Sequence, residues 1–154
     1  MNLAFSQQYG FRAMQITDLG QVVAIEQRVS QSPWSPEQFQ QSLNESTVLV
    51  TGETIIGFFV VASIVDEAEI HNVAVHPDYQ GLGLGSLLLD YLIAQLPVSV
   101  SIVHLEVMAT NYRAIRLYLQ RNFVQMGERR GYYKTEYGRE DGLLMSLPVA
   151  GGGD

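Results

Sequence analysis

Residues 71–96 read HNVAVHPDYQGLGLGSLLLDYLIAQL, in which an apolar, strand-like run passes through three glycines into a helical pattern. A helix N-terminus exposes unpaired N–H groups and the positive end of the helix dipole, and both attract phosphate. Glycine lets the backbone approach a ligand closely and adopt left-handed conformations. The loop from Gln80 to Gly85 is therefore predicted to cradle a pyrophosphate, with a plain turn before a glycine-rich helix as the alternative.

Two known phosphate-binding motifs do not fit this loop. A P-loop ends in Gly-Lys-Ser/Thr, and this loop contains no lysine. The last two glycines of the dinucleotide fingerprint are three positions apart, whereas Gly81, Gly83 and Gly85 are two apart. The glycine spacing alone leaves the ligand open.

Strand and helix patterns alternate along the chain and predict a mixed α/β domain with strand–helix–strand crossovers in its second half. Thr17 or Asp18 is predicted to cap the first helix. Ser35 is predicted to cap the second, with a capping box completed by Gln38. The predicted strands are FRAMQI (11–16), TVLVT (47–51), TIIGFFVVASIV (54–65), EAEIHNVAV (67–75), SIVHLEVMA (101–109), FVQMGERRGYY (123–133) and GLLMSLPV (142–149).

The connections between these elements complete the predicted organisation. Gly52-Glu53 suits a hairpin turn, and KTEYGRE (134–140) is predicted as a polar loop between the last two strands. Residues 1–149 are expected to form one domain, and the AGGGD tail at 150–154 is expected to be disordered.

Composition narrows the classes of function. The net charge of −7 disfavours non-specific binding to nucleic acid and suits a basic partner. With no cysteine, the chain has no thiolate metal site and no cysteine acyl-enzyme, and the spacing of His71 and His76 does not suggest a metal either. No signal peptide or membrane-spanning segment is evident, so we expect a cytoplasmic protein.

The segment VAVHPDYQGLGLGSLLLDYL resembles the acyl-coenzyme-A loop of the GNAT acetyltransferase superfamily, whose pattern is Gln/Arg-x-x-Gly-x-Gly/Ala after a strand and a short P-x-Y turn. The predicted element order matches that fold over nearly the whole chain. The resemblance implies a central twisted mixed sheet of about seven strands flanked by about four helices, with acetyl-CoA as cosubstrate and no metal.

Four further segments resemble the RimI group of that superfamily, which acetylates the N-terminal alanine of a small-subunit ribosomal protein. They are IEQRVSQSPWS, DEAEIHNVAVHPDYQ, HLEVMATNYRAIRLYLQRNF and RRGYYKTEYGREDGLLMSLP. One position departs from the pattern. The group usually carries arginine where this chain has Gly81, which removes a phosphate contact.

Glu106 is the candidate base. In SIVHLEV the side chains alternate, so Val103 and Leu105 point to one face and Glu106 to the other. A carboxylate on an otherwise apolar interior strand is costly unless it is paired or used, so a structural role and a functional one are both open. The resemblance implies that Glu106 acts as general base.

Asn111 and Tyr118 are seven residues apart, which places them within about 20° of each other on one helix face. On the residues alone, Asn111 suits a helix cap and Tyr118 suits core packing. The resemblance implies instead that Asn111 contacts the cofactor and that Tyr118 protonates the departing thiolate.

The remaining site residues follow from the resemblance. Backbone N–H groups of strand Asn72–Val75 are expected to hold the pantetheine, and Trp34, Tyr132 and Tyr133 are candidates for the acceptor groove. Glu26, Asp66, Glu67 and Glu69 are interpreted as solvated surface rather than as the charge that holds a basic peptide. The expected cofactor-binding set is Asn72, Val73, Ala74, Val75, Gln80, Gly81, Leu82, Gly83, Leu84, Gly85 and Asn111.

These expectations predict a GNAT enzyme, a monomer or weak dimer, that transfers acetyl from acetyl-CoA to the α-amine of a basic N-terminal peptide of a ribosomal protein. A lysine side chain, a polyamine or another small amine is the alternative acceptor. A third alternative is a non-catalytic acyl-CoA sensor.

Overall fold

The computed structural model describes residues 8–149, so the predicted tail at 150–154 lies outside the described residues. The strands are β1 (Gly10–Ala13), β2 (Ser46–Thr51), β3 (Thr54–Ile64), β4 (Glu67–Val75), β5 (Ile102–Met108), β6 (Val124–Thr135) and β7 (Gly138–Pro148). The α-helices are α1 (Leu19–Val29), α2 (Pro36–Gln41), α3 (Leu84–Gln95) and α4 (Tyr112–Gln120).

The seven strands form one sheet in the order β1-β2-β3-β4-β5-β7-β6. Strands β4 and β5 are parallel, with pairs from Glu67↔Ile102 to Ile70↔Leu105. The pairs β1/β2, β2/β3, β5/β7 and β6/β7 are antiparallel. This mixed sheet with four helices confirms the predicted fold class.

The chain divides into two compact units, one of residues Met1–Val60 with Asn72–Leu88 and the other of Val61–His71 with Leu89–Asp154. In the first unit the buried core consists of Met14, Val22, Ile25, Phe39, Val48, Ile55, Phe58 and Ala74. In the second unit the buried apolar side chains include Val103, Leu105, Val107, Tyr118, Phe123 and Met145. The single domain expected from length stays a prediction. No helix within residues 8–149 is long and apolar enough to cross a membrane.

The start of α1 differs from the predicted cap. The first strand ends at Ala13, and a 3₁₀ turn over Ile16–Asp18 precedes the helix. Asp18 accepts no N–H from α1. Its carboxylate instead accepts the Gln15 N–H at 2.8 Å and pairs with both terminal nitrogens of Arg12 at 2.7 and 2.9 Å. The cap therefore forms one turn earlier than predicted.

The second helix and the first hairpin follow the prediction. Ser35 Oγ accepts the Gln38 N–H at 3.2 Å, and Gln38 Oε1 accepts the Ser35 N–H at 2.8 Å, which completes the capping box. Gly52 has φ +59°, and Thr51 pairs with Thr54 across the two-residue turn. Both features place α2 and β2–β3 as the sequence predicted.

The last hairpin is longer than predicted. Strand β6 continues to Thr135 and β7 starts at Gly138, so most of the predicted polar loop KTEYGRE pairs as strand. Thr135 Oγ1 accepts the Tyr137 N–H and donates to the Gly138 carbonyl, which closes a short turn. The loop was predicted because these side chains are polar, but the exposed face of an antiparallel strand also accepts polar side chains.

Asp18 should make stability depend on pH. Its hydrogen bonds from Arg12 hold the pKa of the carboxyl below its usual range, against the opposing effect of burial. A depressed folded pKa contributes stability above the unfolded value, near 3.9, and loses it as pH falls through the folded pKa. We expect Asp18→Asn to lower the free energy of unfolding at pH 7 by about 1 kcal/mol.

Urea unfolding at pH 7 and at pH 3 measures this effect. The gap between Asp18→Asn and wild type should narrow at pH 3. Asp78→Asn is the matched control, because Asp78 is exposed and its Arg28 contact is 3.9 Å long. An equal gap at both pH values would contradict the assignment.

Candidate functional site

The glycine loop adopts the left-handed backbone that only glycine takes readily. Gly81 and Gly83 both have φ +81°, and a Cβ built on either would meet nothing within 4 Å. Helix α3 begins at Leu84, so Leu84 and Gly85 belong to its first turn rather than to the loop. Leu84 is buried, whereas Leu82 is 60% exposed. The loop that contains the left-handed glycines is thus Gln80–Gly83, two residues shorter than the predicted loop from Gln80 to Gly85.

Local hydrogen bonds tie this loop to the end of β4. The Gln80 side chain donates to the Val75 carbonyl at 3.2 Å. His76 Nδ1 accepts the Asp78 N–H at 3.0 Å, and the His76 ring packs edge-on against Tyr79. His76 therefore has a structural role in the turn that leads into the loop, and Asn72–Val75 lie beyond Ile70, the last β4 residue paired with β5.

Glu26 is not solvated surface, which corrects the prediction. It is 2% exposed, and its Oε2 accepts the Trp34 N–H at 3.0 Å and the Asn72 side-chain N–H at 3.2 Å. Burial raises the pKa of this carboxyl, and the two hydrogen bonds oppose the shift. The signal was present in the sequence, since Val22, Ile25, Glu26 and Val29 share one apolar helical stripe.

Trp34 is joined to this network through its backbone, while its ring packs on Phe39 with centroids 5.1 Å apart. The structure thus brings two predicted site residues, Trp34 and Asn72, together around Glu26 in the first unit. The other three acidic residues considered with Glu26 are exposed: Asp66, Glu67 and Glu69.

Glu106 occupies the strand face that the alternation predicted. Val103, Leu105 and Val107 on the other face are buried. Glu106 Oε1 lies 3.5 Å from Arg129 Nε. Glu106 Oε2 is buried and has no hydrogen-bond partner within residues 8–149. A buried polar atom without a partner is unusual in native proteins, so this oxygen is a candidate contact for a ligand or a substrate.

Residues of strands β6 and β7 surround Glu106, and only some of them were predicted from the sequence. A Cβ built on Gly142 would lie 2.5 Å from Glu106 Oε2 and 3.0 Å from Tyr133 Cε2, so the glycine is what permits this approach. The Arg129 guanidinium lies 4.9 Å from the Tyr132 ring centroid, and Tyr132 packs edge-on against Tyr133 at 5.1 Å. Arg129 and Gly142 were not predicted, because only strand pairing brings them to Glu106.

Tyr133 is a neutral group beside this carboxylate. Burial, followed by the negative charge of Glu106, raises the pKa of Tyr133 to about 12. The ring therefore keeps its hydroxyl proton at physiological pH and can donate it in a hydrogen bond. The structure brings Glu106, Tyr132 and Tyr133 together within the second unit.

Helix α4 positions the other two predicted residues. Asn111 is its N-cap, and Asn111 Oδ1 accepts the Ala114 N–H at 3.2 Å. Tyr118 is buried with its ring 5.6 Å from Phe123, and burial raises the pKa of Tyr118 to about 12. Next to the cap, the buried Thr110 hydroxyl has no hydrogen-bond partner within residues 8–149, a second candidate contact that the sequence did not signal.

These groups can perform three chemical tasks. A carboxylate with an unpartnered oxygen can take a proton from an amine, and a tyrosine that stays neutral can donate one. Glycine-shaped backbone at the start of a helix can bind phosphate. The loop and Asn72–Val75 belong to the first unit, and Glu106, Asn111 and Tyr118 belong to the second.

Comparison with known proteins agrees with this chemistry. The model of the Acetyltransferase (GNAT) family matches residues 16–123. The chain is 39% identical over 142 residues to the ribosomal protein bS18-alanine N-acetyltransferase of Escherichia coli (strain K12), covering 90% of this chain and 96% of that relative. The crystal structure of the ribosomal-protein-S18-alanine N-acetyltransferase from Escherichia coli has a TM-score of 0.86 at 37% identity and covers 96% of this chain and 97% of that one. The crystal structure of Arabidopsis thaliana NAA60 in complex with acetyl-CoA shares the fold, with a TM-score of 0.80 at 22% identity over 94% of this chain and 100% of that one.

Gly142→Ala should destabilise the second unit. The new methyl group would lie 2.5 Å from Glu106 Oε2 and 3.0 Å from Tyr133 Cε2, so both the flexible carboxylate and the packed ring must move. Overpacking of this kind costs about 1–3 kcal/mol. Gly127→Ala in the same hairpin is the matched control, since its Cβ would lie at an ordinary 3.6 Å from Leu144 Cδ1. Urea unfolding of both variants measures the difference, and equal stability of the two would argue against the close approach.

Proposed function

Because this chain belongs to the GNAT acetyltransferase family, we propose that it transfers the acetyl group of acetyl-CoA to the α-amine of an N-terminal alanine. We further propose that its acceptor is the basic N-terminal segment of a small-subunit ribosomal protein. This proposal is supported by the relatives from Escherichia coli, which are ribosomal protein bS18-alanine N-acetyltransferases. The observation that carries the activity is the buried Oε2 of Glu106, which has no hydrogen-bond partner in the described part of the chain.

The proposed binding of acetyl-CoA uses residues of the first unit. The backbone of Gln80–Gly83 and the first turn of α3 would hold the pyrophosphate, and the N–H groups of Asn72–Val75 would hold the pantetheine. The left-handed φ of Gly81 and Gly83 supports this assignment, because side chains there would strain the loop and obstruct the approach of a phosphate to its backbone. Acetyl-CoA supplies the activated acyl group for the reaction.

Glu106 would act as the base. An N-terminal ammonium has a pKa near 8, so it needs a base of only modest strength, whereas a lysine at about 10.4 would cost roughly 3.4 kcal/mol more to deprotonate. Glu106 Oε2, directly or through a water, would accept the first proton from the ammonium. The free amine then attacks directly, since the chain has no cysteine to carry the acetyl group.

Tyr118 would assist the leaving sulfur. As the N–C bond forms and the C–S bond breaks, the nitrogen releases its second proton to water, and the sulfur gains one from the Tyr118 hydroxyl. Tyr118 then regains a proton from water and Glu106 releases its own, so each turnover releases one proton to solvent. The pKa of about 12 keeps that hydroxyl protonated across the working range of pH. In this proposal Asn111, and the Thr110 hydroxyl beside it, contact the cosubstrate.

Tyr132 and Tyr133 would contact the acceptor, and Trp34 stays a candidate contact from the sequence. The aromatic side chains supply apolar contact, and the net charge of −7 attracts a basic peptide. A ribosomal acceptor places the reaction in the cytoplasm, and the chain is proposed to act as a monomer or weak dimer.

A basic peptide that begins with alanine tests the acceptor. We expect acetylation at its α-amine, and its KM should rise with salt as the charge attraction is screened. The rate of thiol release with this peptide should be compared with the rates for three other kinds of acceptor. These are the same peptide begun with serine or methionine, a lysine peptide with a blocked α-amine, and spermidine. Mass spectrometry that places the acetyl group on internal lysines and leaves the α-amine free would refute the N-terminal assignment.

Glu106→Gln and Tyr118→Phe should respond differently to pH. Glu106→Gln keeps the shape and removes the base, so kcat/KM at pH 7 should fall by about 10²–10⁴-fold. Much of this loss should be recovered above pH 9, where the α-amine is already deprotonated. Tyr118→Phe keeps the ring packing on Phe123 and removes only the hydroxyl, so its defect should persist at high pH.

Profiles of kcat/KM from pH 6 to 10, with melting temperatures for both variants, measure this separation. If Tyr118 only packs in the core, Tyr118→Phe will change stability slightly and leave turnover near wild type. A Glu106→Gln variant that is nearly as active as wild type at pH 7 would show that the base lies elsewhere.

A further inference from the structure

Strand β6 bulges where it passes Asp141. Arg129 pairs with Gly142 and Tyr133 pairs with Glu140, so the three residues 130–132 face the single residue Asp141 across the ladder. Gly131 at the centre of the bulge has φ +59°, a left-handed conformation that favours glycine. A bulge takes backbone groups out of the ladder, and those groups need other partners.

Two side chains of β7 supply these partners. Asp141 Oδ1 accepts the Gly131 N–H at 2.8 Å, and Arg139 Nη1 donates to the Gly131 carbonyl at 3.1 Å. The Asp141 carboxylate is partly buried, and its own backbone carbonyl accepts the Ala109 N–H at 2.8 Å just after β5. Asp141 therefore joins the bulge to the end of the strand that carries Glu106.

The bulge sets the positions of three side chains near Glu106. Arg129 precedes it and reaches Glu106 Oε1, while Tyr133 follows it and lies against Gly142 beside Glu106 Oε2. Tyr132, inside the bulge, packs against both Arg129 and Tyr133. A change in the bulge would move all three relative to the unpartnered oxygen.

We propose that Asp141 is a positioning residue for the acceptor: by accepting the Gly131 N–H, it holds the bulge that places Arg129, Tyr132 and Tyr133 around the incoming amine. This inference rests on the proposed function, since it concerns binding of the acceptor peptide. It assigns a role to the GRED segment, residues 138–141, which the chemistry above does not use.

The test compares Asp141→Ala with Asp141→Asn in the full chain, using an alanine-initiated basic peptide and acetyl-CoA. Asp141→Ala should raise the peptide KM by about tenfold, the effect of losing one good hydrogen bond, and leave the acetyl-CoA KM within about twofold of wild type. Asn keeps an oxygen that can accept the Gly131 N–H, so Asp141→Asn should stay within about threefold of wild type. Amide exchange at Gly131 should be faster in Asp141→Ala than in the other two proteins.

Two further variants serve as a control and as a second test of the bulge. Glu136→Ala removes an exposed carboxylate from the same hairpin and should behave as wild type. Gly131→Ala disturbs the same bulge through its positive φ and should also raise the peptide KM, so it carries the test if Asp141→Ala does not fold.

The failures are distinguishable. A wild-type chain that does not acetylate the peptide overturns the proposed function. An active wild type combined with an unchanged peptide KM in folded Asp141→Ala and Gly131→Ala overturns the positioning role alone. Equal rises in the KM of peptide and acetyl-CoA, or an Asn variant as impaired as the Ala variant, also overturn it.

Discussion

The close approach of Glu106 to Gly142 is the constraint on which the second unit depends. Burial removes water from a carboxylate at a cost in free energy, and here one oxygen of Glu106 is buried without a hydrogen-bond partner within the described residues. The missing Cβ of Gly142 makes room for that oxygen, and β5–β7 pairing brings the two positions together. Tyr133, Arg129 and the bulge of β6 are arranged around the space so created.

The carboxylates of Glu26 and Glu106 differ in how their buried oxygens are hydrogen-bonded. Glu26 accepts two hydrogen bonds on one oxygen and thereby links α1, the Trp34 turn and Asn72 of β4. Glu106 has one buried oxygen without a hydrogen-bond partner among residues 8–149, and its other oxygen lies 3.5 Å from Arg129 Nε. A satisfied carboxylate rigidifies its surroundings, whereas an open one is available for proton transfer. Glu26 is therefore suited to a structural role, and Glu106 is suited to proton transfer.

Local patterns predicted much of this fold. The glycine run at the start of α3, the capping box at Ser35 and the alternation of β5 each arise from neighbours in sequence, so their physical signal is complete within a few residues. Where another group competed for a side chain, or where a segment paired with a facing strand, the prediction failed. Thr17 or Asp18 was expected to cap α1, but Arg12 and the Gln15 N–H occupy the Asp18 carboxylate. A loop over 134–140 was expected because its residues are polar, yet most of this segment pairs as β-strand within the β6–β7 hairpin.

The sequence by itself determined the family, the positions of Glu106 and Tyr118, and the glycine-shaped loop, because motif, periodicity and backbone freedom are local properties. Tertiary structure alone decided which side chains share a site. Arg129, Gly142 and Asp141 acquire their meaning from strand register across the β5–β7–β6 ladder, where a shift of one residue would turn each side chain to the opposite face. The same holds for Glu26, whose apolar stripe showed that it is buried, while its partners Trp34 and Asn72 became known only from the folded chain.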